Sequence, residues 1–202
     1  DKLWKGDEWF EIINEWKKNY PVVQEKHYKS NGYVNPYCLI AELNKFFDKN
    51  SVIVSGNGSA CVVGAAALEI KRGQRFIINC GCASMGYDLP AAIGASFARN
   101  KKEVFCFAGD GSIQMNIQEL QTMVYHNLPV KILIFNNSGY HSMRLTQRNL
   151  FPEYTEVGVG PESNDLSFPD LKKISQAYGI PYYSASNNEE LNNCLSEFVK
   201  KD

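Results

Sequence analysis

Apolar and polar positions change rhythm along this chain, and the changes predict its elements. Over residues 7–19, Trp9, Phe10, Ile12, Ile13 and Trp16 recur at helical spacing, with Asp7 expected as N-cap and Pro21 as the stop. A polar connector over 24–35 leads to a second helix expected near 36–48. From there strand, loop and helix alternate. Residues 51–55 are apolar and β-branched, and Gly56-Asn57-Gly58-Ser59 breaks them before a small-residue helix expected from Ala60 to about Ile70. A strand is expected over 75–79, a loop over 80–86, and a helix opening near Pro90, whose missing N–H is harmless in a first turn. The apolar run 104–108 leads into Gly109-Asp110-Gly111, and 113–125 reads as one helix with Ile113, Ile117, Leu120 and Val124 on a single stripe. Asn127-Leu128-Pro129 turns the chain into a strand over 130–135. An irregular segment over 138–167 follows, then a helix over 168–178, a strand over 180–184 and a closing helix over 189–200.

Strands that are apolar throughout, alternating with helices, imply a doubly wound α/β fold: a mostly parallel sheet with helices on both faces. Ligands in such open sheets bind beyond the carboxyl ends of the strands. Four loops are expected there, at 56–60, 80–86, 109–112 and 136–141, all rich in Gly, Ser and Asn.

Composition removes several function classes. A net charge of −1 offers no basic face, so nucleic acid has no electrostatic support as a partner. No stretch approaches the roughly 18 apolar residues of a membrane span. The start, Asp1-Lys2-Leu3-Trp4-Lys5, makes no signal peptide and reads as the continuation of something longer. The six cysteines fit neither a disulfide framework nor zinc knuckles, since Cys80-Gly81-Cys82 is too tight and no second Cys/His pair lies near it. Reduced thiols in a cytoplasmic protein are the expectation.

The chemistry concentrates at two strand ends. Asp110 follows one apolar run, and Asn136-Asn137 closes the next. A carboxylate and an amide oxygen so placed suit Mg²⁺, which takes hard oxygen ligands and shares its shell with substrate phosphates. Gly109 and Gly111 permit close backbone approach to a ligand. Ser112 and the N–H groups behind it open a helix, where partial positive charge favours a diphosphate. Gly56-Asn57-Gly58 followed by Cys61 disfavours a dinucleotide site, which needs glycine at that position. Among the histidines, His126 is expected to cap a helix C-terminus, His27 to be solvated, and His141 alone lies at a ligand loop.

Gly-Asp-Gly followed one helix and one strand later by Asn-Asn resembles the thiamine-diphosphate (ThDP) motif. The likeness extends to Gly81-Cys82-Ala83-Ser84-Met85-Gly86-Tyr87-Asp88-Leu89-Pro90, to the run from Gly111 to Leu120, to Asn127-Leu128-Pro129, and to Trp16-Lys17-Lys18-Asn19-Tyr20-Pro21. Together these resemble the C-terminal, diphosphate-binding domain of acetolactate synthase-like enzymes over nearly the whole chain. The resemblance implies that residues 1–35 form an interdomain linker helix and connector and 36–202 the ThDP domain. It implies pyrimidine-binding and middle domains absent from this chain.

The same resemblance implies that Asp110, Asn137 and the Gly139 carbonyl hold Mg²⁺. Asn57, Gly58, Ser59, Ala60, Ala83, Ser84, Met85, Gly109, Gly111, Ser112, Tyr140 and His141 are implied to line the cofactor. Met85 is the apolar wedge that bends ThDP, and the Ala83 carbonyl accepts from its aminopyrimidine; relatives carry Gly at the Ala83 position. The implied activity is decarboxylation or carboligation of a 2-keto acid by a homodimer or tetramer. The catalytic glutamate lies on the pyrimidine-binding domain of the same or a neighbouring chain, so no catalytic residue is expected here. Two departures touch the substrate side: Ser59-Ala60 stand where acetolactate synthases carry Gln-His, and the run after Tyr140 lacks their Gln-Trp. A split ThDP decarboxylase subunit and a non-catalytic Mg²⁺-diphosphate module are the alternative readings.

Overall fold

The computed structural model describes residues 6–29 and 32–200. The reading of residues 1–5 therefore lies outside them. In chain order the elements are α1 (Asp7–Asn19), α2 (Glu25–Tyr28), α3 (Pro36–Leu43), β1 (Val52–Ser55), α4 (Gly58–Ala67), β2 (Arg75–Ile78) and α5 (Asp88–Ala98). Then come β3 (Val104–Gly109), α6 (Asp110–Gln114), α7 (Glu119–Tyr125), β4 (Val130–Phe135), α8 (His141–Leu150), α9 (Leu171–Ala177) and α10 (Asn188–Phe198).

All four strands are parallel, in the order β2-β1-β3-β4. Successive side chains of a strand point to opposite faces, and each face finds its own cover. Ile53, Phe105, Phe107, Leu133 and Phe135 join Cys38, Leu43, Val63 and Leu195 under α3, α4 and α10. Val52, Val54, Val104, Cys106 and Ala108 join Leu89, Ile93, Leu120 and Met123 under α5 and α7. This is the doubly wound α/β fold. The chain steps from β1 outward to β2, then crosses back to β3 on the other side. That reversal opens a crevice beyond the carboxyl ends of β1 and β3, where open α/β sheets bind ligands.

Several boundaries differ from expectation, each for a local reason. Gly6, not Asp7, occupies the cap of α1. Four of the apolar residues expected on one face of α1, Trp9, Phe10, Ile12 and Trp16, are exposed, and Trp9 and Trp16 meet edge-on at 5.7 Å. The expected helix over 36–48 stops at Leu43. The small-residue helix ends at Ala67 because Asn44 Nδ2 donates to the Ala67 carbonyl at 2.9 Å, while Asn44 Oδ1 accepts from Glu69 N at 3.2 Å.

The single helix expected over 113–125 is broken into α6 and α7. Asn116 Nδ2 donates to the Gly86 carbonyl at 2.6 Å, drawing the break against the 80–86 loop. Met123, rather than Val124, joins Leu120 as a buried residue of α7. Within the expected irregular segment lies α8, whose buried residue is Arg144. Residues 180–184 form no strand. Their side chains and those of β4 line a common cavity instead of sharing a ladder.

The polar connector is tied down. Asn188 Nδ2 donates to the carbonyls of His27 and Tyr28, and its Oδ1 accepts from Asn35 N at 3.0 Å. His27 stacks on Tyr37 at 5.0 Å and accepts from Gln24 N, so it is a structural residue rather than a solvated one. His126 occupies the C-cap position of α7 as expected, with its ring edge-on to Phe97.

Candidate functional site

β3 delivers Asp110 to the crevice as the first residue of α6, 3% exposed. One carboxylate oxygen accepts from Gly111 N at 2.9 Å. The other accepts from Asn137 N at 3.0 Å and Gly139 N at 3.2 Å. Two strand ends are thereby joined through one side chain. Burial raises the Asp110 carboxyl above the usual aspartate range, and these N–H donors pull it back down.

Asn137 Oδ1 is buried and accepts no hydrogen bond. Ser55 Oγ, at the carboxyl end of β1, is the other such atom among the described residues. An orphaned amide oxygen costs about 1–3 kcal/mol, a cost a ligand removes. A buried carboxylate and an unpartnered amide oxygen are hard oxygen donors of the kind a hard cation takes.

Two glycines permit this convergence. A Cβ on Gly111 would lie 2.5 Å from the Tyr140 ring and 3.2 Å from Phe168, whose rings meet edge-on at 5.6 Å. A Cβ on Gly139 would strike the Val159 carbonyl. Arg144, buried in α8, donates to the carbonyls of Val159 and Gly160 and so fixes that strap behind Gly139 and Tyr140. Arg144 Nη2 also lies 3.3 Å from His141 Nδ1.

The 56–60 and 80–86 loops close the other side. Asn57 makes no side-chain cap on α4; its Nδ2 instead donates to the Ala83 carbonyl at 3.1 Å. Ala83 has φ +49°, the left-handed conformation that glycine adopts most easily. Gly58 approaches Ser142 of α8. Ser84 is exposed on its loop, Met85 is half-buried and Ala60 is buried at the start of α4. A cavity of about 880 Å³ borders the site, with Ser59, Asn137 and His141 among its lining. The helix behind Ser112 is only five residues long, so the donors on offer are local N–H groups rather than a long helix dipole.

Sequence reasoning missed three residues here. Asp88 is wholly buried and bonded to Ser112, Asn116 holds Gly86, and Arg144 anchors the 159–160 carbonyls. The signal for Asp88 was present: a carboxylate among Tyr87, Leu89 and Pro90, in a turn otherwise apolar. Burial raises the Asp88 carboxyl, opposed by the Ser112 hydroxyl and Leu89 N–H. A carboxyl raised in the folded state contributes its full stability while protonated, below the ordinary range near pH 4, and loses it as pH rises through the raised value. The midpoint difference between the wild-type chain and Asp88→Asn is therefore expected to shift against the wild type on going from about pH 4 to neutrality. Thermal unfolding across that range measures it.

A doubly wound sheet with buried oxygen donors at its switch point defines an α/β domain with a candidate ligand site there, and the comparisons with known proteins narrow the class. The family model for the thiamine pyrophosphate enzyme C-terminal TPP binding domain matches residues 21–202, and the chain belongs to that family. Its relatives are acetolactate synthases. The large subunit from Pyropia yezoensis is 33% identical over 187 residues, covering 93% of this chain and 30% of the relative. The large subunit from Buchnera aphidicola (Schizaphis graminum) is 34% identical over 194 residues, 96% of this chain and 33% of the relative. The isozyme 3 large subunit of Escherichia coli K12 is 29% identical over 194 residues, 96% and 32%. The chain thus spans about a third of the length of the curated relatives it matches.

Proposed function

We propose that this chain is the diphosphate- and Mg²⁺-binding part of an acetolactate synthase-like enzyme that decarboxylates or ligates a 2-keto acid. The observation that carries the reading is the buried, unpartnered Oδ1 of Asn137, a residue whose backbone N–H donates to the Asp110 carboxylate at the switch point. In this reading Asp110, Asn137 and the Gly139 carbonyl hold Mg²⁺, and the Asn57–Ala60, Gly109–Ser112 and Tyr140–His141 loops receive the cofactor. Bound ThDP supplies the electron sink for cleaving the bond to the carboxylate. The chain's own residues bind and orient. Asn57 and the left-handed turn at Ala83 aim that residue's carbonyl, and Met85 stands on the same loop as the wedge against the cofactor rings.

Residues 1–35 are read as linker and connector and 36–202 as the domain. A glutamate on a pyrimidine-binding domain, in the same or a neighbouring chain, completes the site in a homodimer or tetramer. No helix among the described residues is long and apolar enough to cross a membrane, and the proposed setting is the cytoplasm.

Calorimetric titration of ThDP into the chain, with Mg²⁺ and then with EDTA, tests the reading. Mg²⁺-dependent heat is expected. Inorganic diphosphate with Mg²⁺ serves as the probe that needs no pyrimidine pocket, and failure of both ligands to bind would overturn the assignment.

A further inference from the structure

Asp88 has no part in the reading above, yet no other Asp, Glu, Lys or Arg among the described residues is as deeply buried, at 0% exposed. No cation pairs with it among the salt bridges of the described residues. The carboxylate takes one hydrogen bond from its own helix and one from a ligand loop. Leu89 N donates to Oδ1 at 2.9 Å, and the Ser112 hydroxyl donates to Oδ2 at 2.5 Å. Gly86 N in turn donates to Ser112 Oγ at 2.9 Å, and the Gly86 carbonyl accepts from Asn116 Nδ2 at 2.6 Å. The third loop closes on the same group by shape. A Cβ on Gly56 would lie 2.5 Å from Asp88 Oδ2 and 3.1 Å from its Cβ and Cγ.

We infer that Asp88 is a positioning residue: its carboxylate turns the Ser112 hydroxyl inward and locks the 56–60, 80–86 and 109–112 loops in the arrangement that receives the diphosphate. The inference rests on the cofactor reading of those loops. Filling space beneath the site needs no charge, and a neutral side chain would avoid the cost of burying a carboxylate. Two fixed acceptors facing two donors do need the carboxylate. An amide at residue 88 presents its NH₂ to one of those donors and frees the Ser112 hydroxyl to rotate.

The geometry at Gly56 makes a second statement. Residue 56 follows β1 and residue 88 begins α5, yet their side-chain positions share one volume. A carboxylate delivered from residue 56 falls where the Asp88 carboxylate now lies. Asp88 therefore requires glycine at 56, and an exchange of the two residue types keeps an acceptor for Ser112 while changing the element that supplies it.

Calorimetry with Mg²⁺ and inorganic diphosphate on the full chain tests this, at a temperature below the unfolding midpoint of every variant. Asp88→Asn and Ser112→Ala are each expected to weaken binding roughly ten-fold, and their combination to weaken it no further, because both remove one link. Gly56→Asp alone is expected to abolish binding, and Gly56→Asp with Asp88→Gly to recover most of the affinity. Unchanged affinity in Asp88→Asn overturns the inference while leaving the cofactor reading standing. Losses that multiply to roughly a hundred-fold in the combined variant overturn it too, since the two residues would then act separately. If Asp88→Asn fails to fold, Ser112→Ala decides: wild-type affinity in that variant ends the proposal. Absence of binding in the wild-type chain itself brings down the cofactor reading, and this inference with it.

Discussion

Asp110→Ala is expected to abolish the Mg²⁺-dependent part of diphosphate affinity, a loss on the order of 100-fold or more, and to leave affinity in EDTA unchanged. The magnitude follows from what the carboxylate does. It is the charged member of the oxygen set at the crevice, and it also holds the loop bearing the other two members, through Asn137 N–H and Gly139 N–H. Alanine removes the anion and leaves both donors without their acceptor. A stability loss of about 2 kcal/mol is expected alongside, reduced by the relief of burying a carboxylate. Asp110→Asn separates the two effects, keeping shape and an acceptor for the loop while losing the charge. The measurement is a pair of calorimetric titrations per variant, with Mg²⁺ and with EDTA. Retention of Mg²⁺-dependent binding in Asp110→Asn would show that the loop geometry, and not the charge, sets affinity.

The order of the fold could be read from the chain because the central strands β1 and β3 are buried along nearly their whole length, as a covered parallel sheet requires, and the run Val130–Phe135 is apolar apart from Lys131. Asp110 and Asn137 were legible for the same reason: they stand where those runs end. The elements that were not legible are those whose burial is polar or whose partner is distant. In α8 the residues turned outward are Met143, Leu145 and Leu150, and the buried one is Arg144, so no apolar stripe announces a helix. Residues 180–184 carry Ile180 and two tyrosines with strand propensity, yet the ladder ends at β4 and propensity found no partner. The helix over 113–125 is broken by Asn116 reaching 30 residues back to Gly86. Asp88 meets Ser112 across 24 residues. Such contacts have no local period to betray them.

The glycines of the site look alike in sequence, and the structure divides them by what their missing side chains would meet. Gly109 has nothing within 4 Å of an added Cβ and an extended backbone, φ −86° and ψ 155°. Gly109→Ala is therefore expected to leave folding stability unchanged, so any loss of diphosphate affinity in it belongs to the ligand. Gly139 is the opposite case. Its Cβ would collide with the Val159 carbonyl and lie 2.9 Å from the Gly160 carbonyl, both backbone atoms. A flexible side chain yields to such a contact, whereas this strap is held by Tyr140 N donating to Val159 O at 3.0 Å and by Arg144 on both carbonyls. Gly139→Ala must push the 138–140 turn off Asp110 or tear the strap from α8, at a cost of about 3 kcal/mol. Either movement displaces the Gly139 carbonyl and the Asn137 amide together. Denaturant unfolding and Mg²⁺-diphosphate calorimetry are then expected to fail in step, stability and affinity both lost, where Gly109→Ala separates them. A Gly139→Ala chain as stable as the wild type would mean that the strap can yield, and that the glycine is kept for the ligand rather than for the fold.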